Sequence, residues 1–256
     1  MQHIFPILEH DPSPQALIEP GRVIRSIDAP PGCVVCFFQE VIDALRQAGR
    51  LTQIAELSSE IGKHPVYEFR MDERRLALFH PGVGAPLAAG LLEEVIALGC
   101  RKFVACGGCG VLDRSIAVGH VLVPESAVRD EGTSYHYLPP GREVGASPNA
   151  VATIQSTLQA HGVEHIVAKT WTTDAIYRET PARIARRKAE GCLAVEMEAA
   201  AFFAVARFRG VDFGQVLYGG DDISGDTWDS RRWNTHTTAR EKLFWLAAEA
   251  CLAMQA

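Results

Sequence analysis

The sequence predicts an α/β fold in which helices cover both faces of a mostly parallel sheet, and three observations carry that expectation. At 256 residues with 47% hydrophobic content, the chain can build a substantial buried core. Short β-branched runs alternate along it with longer segments that carry apolar residues at helical spacing. Nothing between them has the composition of a linker, a low-complexity tract or a repeat, so a single domain over residues 1–256 is expected.

Taken in order, the arm up to about Pro20 shows no periodicity and reads as loose. Residues 33–38 (CVVCFF), 76–79 and 102–106 (KFVAC) are continuous apolar runs and read as buried strands, with 121–124, 165–169, 193–196 and 213–218 continuing the set. Helices are expected over 86–98 (PLAAGLLEEVIAL), 148–161, 198–209 and 238–254. Several open on Pro or an acidic residue, which suits a first turn whose N–H groups lack partners. The turn-rich stretch 130–148 is the second loose segment. In such a fold, ligands gather at loops leaving the carboxyl ends of strands.

Charge and composition narrow the function. With 31 acidic against 25 basic residues and a formal charge of −6, no global positive field exists to hold nucleic acid or an anionic membrane. No run approaches the ~20 apolar residues of a membrane-spanning helix, and the opening MQHIFPILEHDP lacks the basic start and apolar run of a signal peptide. A soluble cytoplasmic protein is expected. Its 7 cysteines, an odd number spread through hydrophobic segments, suit a reducing compartment. The pairs Cys33-Val-Val-Cys36 and Cys106-Gly-Gly-Cys109 have the internal spacing of zinc ligands. The first lies in a strand pattern, where residues i and i+3 point to opposite faces, and the pairs are too far apart for a zinc ribbon, so buried structural cysteines and no metal are expected.

Glycine is concentrated at 81–86 (PGVGAP) and 107–110 (GGCG), each after an apolar strand. Both read as tight turns whose backbone amides can also approach an anion, and neither matches a triphosphate or dinucleotide loop. More specific is 194–201 (AVEMEAAA), where a buried strand runs into a small-residue helix carrying Glu196 and Glu198 at the junction. One carboxylate can complement the helix dipole; the other then stands at the end of an apolar strand, where burial is costly without a partner. A sugar diol is such a partner, because an ionised carboxylate accepts two hydroxyl hydrogen bonds.

The segment Val195-Glu196-Met197-Glu198-Ala199-Ala200 resembles the ribose-binding signature of the purine nucleoside and uridine phosphorylase superfamily, which also contains nucleoside hydrolases. The resemblance runs from Pro20-Gly21 through Gly82–Pro86 and 107–110 to Gly220-Asp221-Asp222, and the order of these motifs makes it specific. It implies a three-layer α/β/α sandwich with a mixed, twisted central sheet. It also implies a pentosyltransferase that cleaves a ribonucleoside N-glycosidic bond with phosphate as co-substrate, needs no metal or organic cofactor, and works as a homo-oligomer, a hexamer or another assembly of dimers.

By the same resemblance, Glu198 holds the ribose 2′- and 3′-hydroxyls, Met197 packs beneath the sugar, and Glu196 lines the same site. Ile176 and Tyr177 fall where the family places an aromatic pair, Ile176 being a departure. Asp221 falls where purine-specific relatives keep an acid facing N7, and a carboxyl protonated through burial can donate to a leaving purine. Gly21 and Arg25 match a glycine and arginine that grip phosphate, whereas Ala105 and Gly108 stand where the family has a second arginine and a hydroxyl. His3 or His10 matches a histidine that crosses a subunit boundary to the sugar 5′-hydroxyl. Residues 127–136 (AVRDEGTSYH) resemble the uridine-specific side while Asp221 points to purines, so the base stays open. Two rivals remain: a nucleoside hydrolase using water, favoured by Ala105 and Gly108, and a non-catalytic nucleoside-binding protein.

Overall fold

A computed structural model describes residues 3–71 and 73–254. Its centre is β5 (Lys102–Val111), flanked by parallel β1 (Gly32–Cys36) and parallel β10 (Asp212–Asp222). On one side β1 continues through parallel β4 (Arg74–Phe79) into an antiparallel hairpin of β3 (Gly62–Met71) and β2 (Thr52–Ser59). On the other side β6 (Val121–Asp130), β8 (His165–Thr173) and β9 (Cys192–Glu196) pair in that order, β6 with β10 and β9 back onto β5, both antiparallel. Strands β5, β10, β6, β8 and β9 therefore form a closed ring, and the remainder is an open wing. The sheet is mixed rather than mostly parallel, as the resemblance implied.

Helices α3 (Ala85–Leu98), α4 (Pro148–Ala160), α6 (Ala199–Arg209) and α7 (Thr237–Ala253) match the four expected, and they pack on the sheet and on one another. Strand β1 is buried along its whole length, and Phe213 stacks on Phe103 and Phe202 with ring centroids 6.0 and 4.7 Å apart. All seven cysteines are buried, Cys36 facing Cys106 across the β1–β5 ladder. Among the described residues no group of His, Cys, Asp or Glu is arranged to hold a metal, and no helix is long and apolar enough to cross a membrane.

Three expectations change. The 107–110 segment is not a turn but the end of β5, its glycines leaving room for neighbouring rings: a Cβ at Gly107 would lie 3.1 Å from Phe37, and one at Gly108 would lie 3.0 Å from Tyr218. The stretch 130–148 is tied down, since buried Arg129 donates to Ser134 Oγ and to the carbonyls of Leu138 and Pro139, and β7 (Glu143–Gly145) pairs with β6. The hairpin β2–β3 and helices α2 (Gln39–Gln47) and α5 (Pro181–Ala189) were not expected. β2 is largely exposed and α5 is basic, so neither carries an apolar run in the sequence.

Candidate active site

The carboxyl ends of β1, β5, β9 and β10 surround a half-open cavity of about 300 Å³. The β9–α6 junction builds one wall. Glu196, the last residue of β9, turns its carboxylate onto the start of α6, accepting from the backbone N–H groups of Glu198 (2.7 Å) and Ala199 (2.5 Å) and from Thr172 Oγ1 (2.6 Å). The sequence leaves open which acid serves the helix. It is Glu196, whose carboxylate is engaged by protein donors although the residue lines the cavity. Burial pushes its carboxyl up while these donors pull it down.

Glu198 is thereby freed to face the cavity beside Met197. One of its oxygens accepts the N–H of Gly84 at 2.6 Å. Gly84 has φ +93°, a left-handed conformation that favours glycine, so the anion approached by the 81–86 loop is the protein's own carboxylate. Only 5% exposed, Glu198 is pushed up to about 8, first by burial and then by the charge of Glu196.

Asp221, near the end of β10, lines the same cavity, its Oδ2 accepting the indole N–H of Trp228 at 2.7 Å. Ile176 and Val195 give this end apolar walls. Glu179, which follows the 3-10 turn Ile176–Arg178, faces the same space. Burial and the charge of Asp221 push it up to about 7.

The third side is aromatic. Phe37 and Phe38, between β1 and α2, line it with Gly107, Gly108 and Tyr218. Arg240 of α7 is the one basic side chain among the described lining residues; it stacks over Phe38 at 4.7 Å and pairs with Glu40 through Nε–Oε1 (2.6 Å) and Nη2–Oε2 (3.0 Å). Gln215 of β10, directly across the ladder from Ala105, is buried with its Oε1 unpartnered.

Thus Glu196, Met197, Glu198, Ile176 and Asp221 come together as the sequence suggested. Tyr177 does not: it is 95% exposed and points away. Gly21 lies on the short exposed helix α1 (Pro20–Val23) and Arg25 just after it, neither on the cavity wall. The strand-to-helix turn that does reach the cavity is 37–38, aromatic where Gly21 and Arg25 suggested a cationic loop. His3 sits in the amino-terminal arm, its backbone N–H bonded to Glu9, outside this chain's cavity. Glu179, Gln215 and Arg240 went unnoticed because each stands in an unremarkable local sequence far along the chain from the motifs it joins.

A half-enclosed cavity at the strand ends, holding four carboxyl groups and graded from apolar to aromatic, defines an enzyme site for a small polar molecule. The chain belongs to the phosphorylase superfamily, whose model matches residues 32–252, and it is an enzyme of the nucleoside phosphorylase type. The match begins after Gly21 and Arg25. A guanosine phosphorylase of Halorubrum lacusprofundi is 30% identical over 79% of this chain and 80% of the relative. A uridine phosphorylase of Haemophilus influenzae is 32% identical over a shorter stretch, 38% of each chain. A purine nucleoside phosphorylase from Toxoplasma gondii has the same fold, with a TM-score of 0.75 at 19% identity over 90% of this chain and 94% of that one. So does an AMP nucleosidase from Bacteroides thetaiotaomicron, with a TM-score of 0.72 at 20% identity over 89% and 90%.

Proposed function

We propose that this protein cleaves the N-glycosidic bond of a purine ribonucleoside with phosphate, giving the free base and ribose 1-phosphate. The observation that carries it is that Glu198 and Asp221 line one cavity, a diol acceptor and a carboxyl for the base side. Glu198, held by the Gly84 N–H, accepts from the ribose hydroxyls over Met197, while Asp221 takes the N7 side of a purine between Ile176 and Val195. The guanosine phosphorylase relative supports a purine over uridine.

At the nucleophile end, Arg240 and the Gln215 amide are the groups on hand for phosphate, Arg240 by exchanging Glu40 for the incoming anion. No metal or organic cofactor enters this scheme. Exposed Leu17 and Ile18, 97% and 79% accessible, support burial of the amino-terminal arm in a homo-oligomer, with His3 on that arm.

One observation favours water as the acceptor instead: four carboxyl groups line the cavity against one guanidinium that is already paired. Product analysis separates the two. Guanosine or inosine incubated with and without phosphate should give ribose 1-phosphate only with it; free ribose at an unchanged rate in its absence selects the hydrolase. Release of no base from any nucleoside would overturn both.

A further inference from the structure

We propose that Glu179 is the general acid of this site, delivering the proton to the departing base, with Asp221 as its acidic neighbour. The inference rests on the nucleoside-cleaving reading above and adds to it a residue that the sequence motifs do not single out.

Three features of the geometry carry it. First, Glu179 lines the cavity together with Ile176, Val195 and Asp221, and lies close enough to Asp221 to feel its charge. Second, one oxygen of Asp221 is already occupied: the Trp228 indole, which can only donate, meets it at 2.7 Å. Third, among the described residues the carboxyl of the half-buried Glu179 takes part in no hydrogen bond or ion pair. A half-buried carboxyl beside a carboxylate, with no donor to stabilise its charge, is where a shared proton resides.

The other titratable groups of the cavity do not change this order. Cys109 of β5, Tyr218 of β10, Glu196, Glu198 and Arg240 all line it, yet Asp221 is the charge that acts on Glu179, raising it with burial to about 7. A group titrating near the working pH is suited to give up a proton in the transition state and regain it afterwards.

In the step itself, the C1′–N9 bond breaks with its electron pair passing to the base, and the Glu179 O–H proton passes to N7. A C1′–O bond forms to the acceptor, whose own proton leaves to solvent. Solvent then reprotonates Glu179 once the base departs.

Two substrates and one variant test this. On guanosine or inosine, Glu179→Gln should lower kcat by ~10²–10⁴-fold, the range for loss of a general acid. On 4-nitrophenyl β-D-ribofuranoside, whose leaving group departs without protonation, the variant should stay within a few-fold of wild type. The wild-type profile of kcat/KM on a purine nucleoside should be a bell, rising as Glu198 ionises (about 8) and falling as Glu179 loses its proton (about 7), with its maximum between them. Glu179→Gln should abolish the alkaline fall, and Glu179→Asp should restore it with part of the rate.

Equal losses on both substrates, or an alkaline limb that persists in Glu179→Gln, would make Glu179 a structural residue and overturn the proposal. A wild-type enzyme that releases base from no nucleoside and leaves the nitrophenyl riboside intact would overturn the underlying reading as well. The two failures are therefore distinguishable.

Discussion

The two ends of the cavity, the one proposed for the sugar and the one proposed for the nucleophile, are built by opposite means. At the sugar end one short stretch, Val195–Ala199, supplies strand end, helix start, capping acid and ligand acid, and a glycine of φ +93° brings in the remaining N–H. At the nucleophile end Phe37, Phe38, Gly108, Gln215, Tyr218 and Arg240 arrive from four different elements or their junctions, and aromatic rings occupy the space beside β5. The contrast teaches that one end of a site can be local in the chain while the other is assembled from distant elements, so the two ends can change independently.

The largest effect should come from the clamp. Glu198→Gln keeps the shape but exchanges an ionisable diol acceptor for a neutral amide, and turnover of a ribonucleoside should fall by at least ~10²-fold with the fold intact by circular dichroism. The carboxyl is raised to about 8, so if it binds the diol as the anion, wild-type kcat/KM should climb with pH along the acid limb of the bell. Glu198→Gln should lose that climb and discriminate less against 2′-deoxynucleosides. Near-normal kinetics would reduce Glu198 to a helix-start residue and erase the contrast.

At the other end, Arg240→Ala should raise the KM for phosphate by roughly 10-fold or more, the worth of one charge-assisted contact, while the KM for the nucleoside changes little. A phosphate KM that does not move would detach Arg240 from the reaction.

A smaller effect tests the aromatic filling. Gly108→Ser returns a hydroxyl to the position but drives its Cβ to within 3.0 Å of the Tyr218 ring. Thermal unfolding should show a loss of ~1–3 kcal/mol, with no gain in phosphate affinity. Tighter phosphate binding would mean that the rings yield.

Arg25→Ala should do least. Exposed, away from the cavity wall and outside the family match, Arg25 should leave kcat and both KM values within about two-fold of wild type, as for a surface substitution. A marked rise in phosphate KM would bring Arg25 back into the site.

The same contrast explains what could be read from the chain. The strands of the core and the Glu196–Glu198 junction were legible because burial and a strand-to-helix switch write themselves into neighbouring residues. The anion loop was placed at Gly21 and Arg25 because a glycine followed by an arginine there imitates the family string, while the turn that reaches the cavity, Phe37-Phe38, has neither residue to mark it. Gly107–Gly110 suggested a turn because glycine carries no sign of what presses on it; here Phe37, Tyr218 and Val195 do. Glu179, Gln215 and Arg240 have no local signal at all, since each gains its meaning from a neighbour on another element. The hairpin β2–β3 escaped for a different reason: β2 is largely exposed and lacks the alternation that marks a half-buried strand.

The closed ring has a consequence for how the chain acquires its shape. Strand β10, ending at Asp222, lies between β5 and β6, more than a hundred residues after the start of β5 and later than every other strand. Until it is synthesised and inserted, β5 and β6 each present an unsatisfied edge, and α7, which packs against β1, β5 and β10, lacks part of its seat. Productive folding therefore awaits the final fifth of the polypeptide. Nascent chains that stall before Asp212 should be the species that chaperones retain and proteases remove.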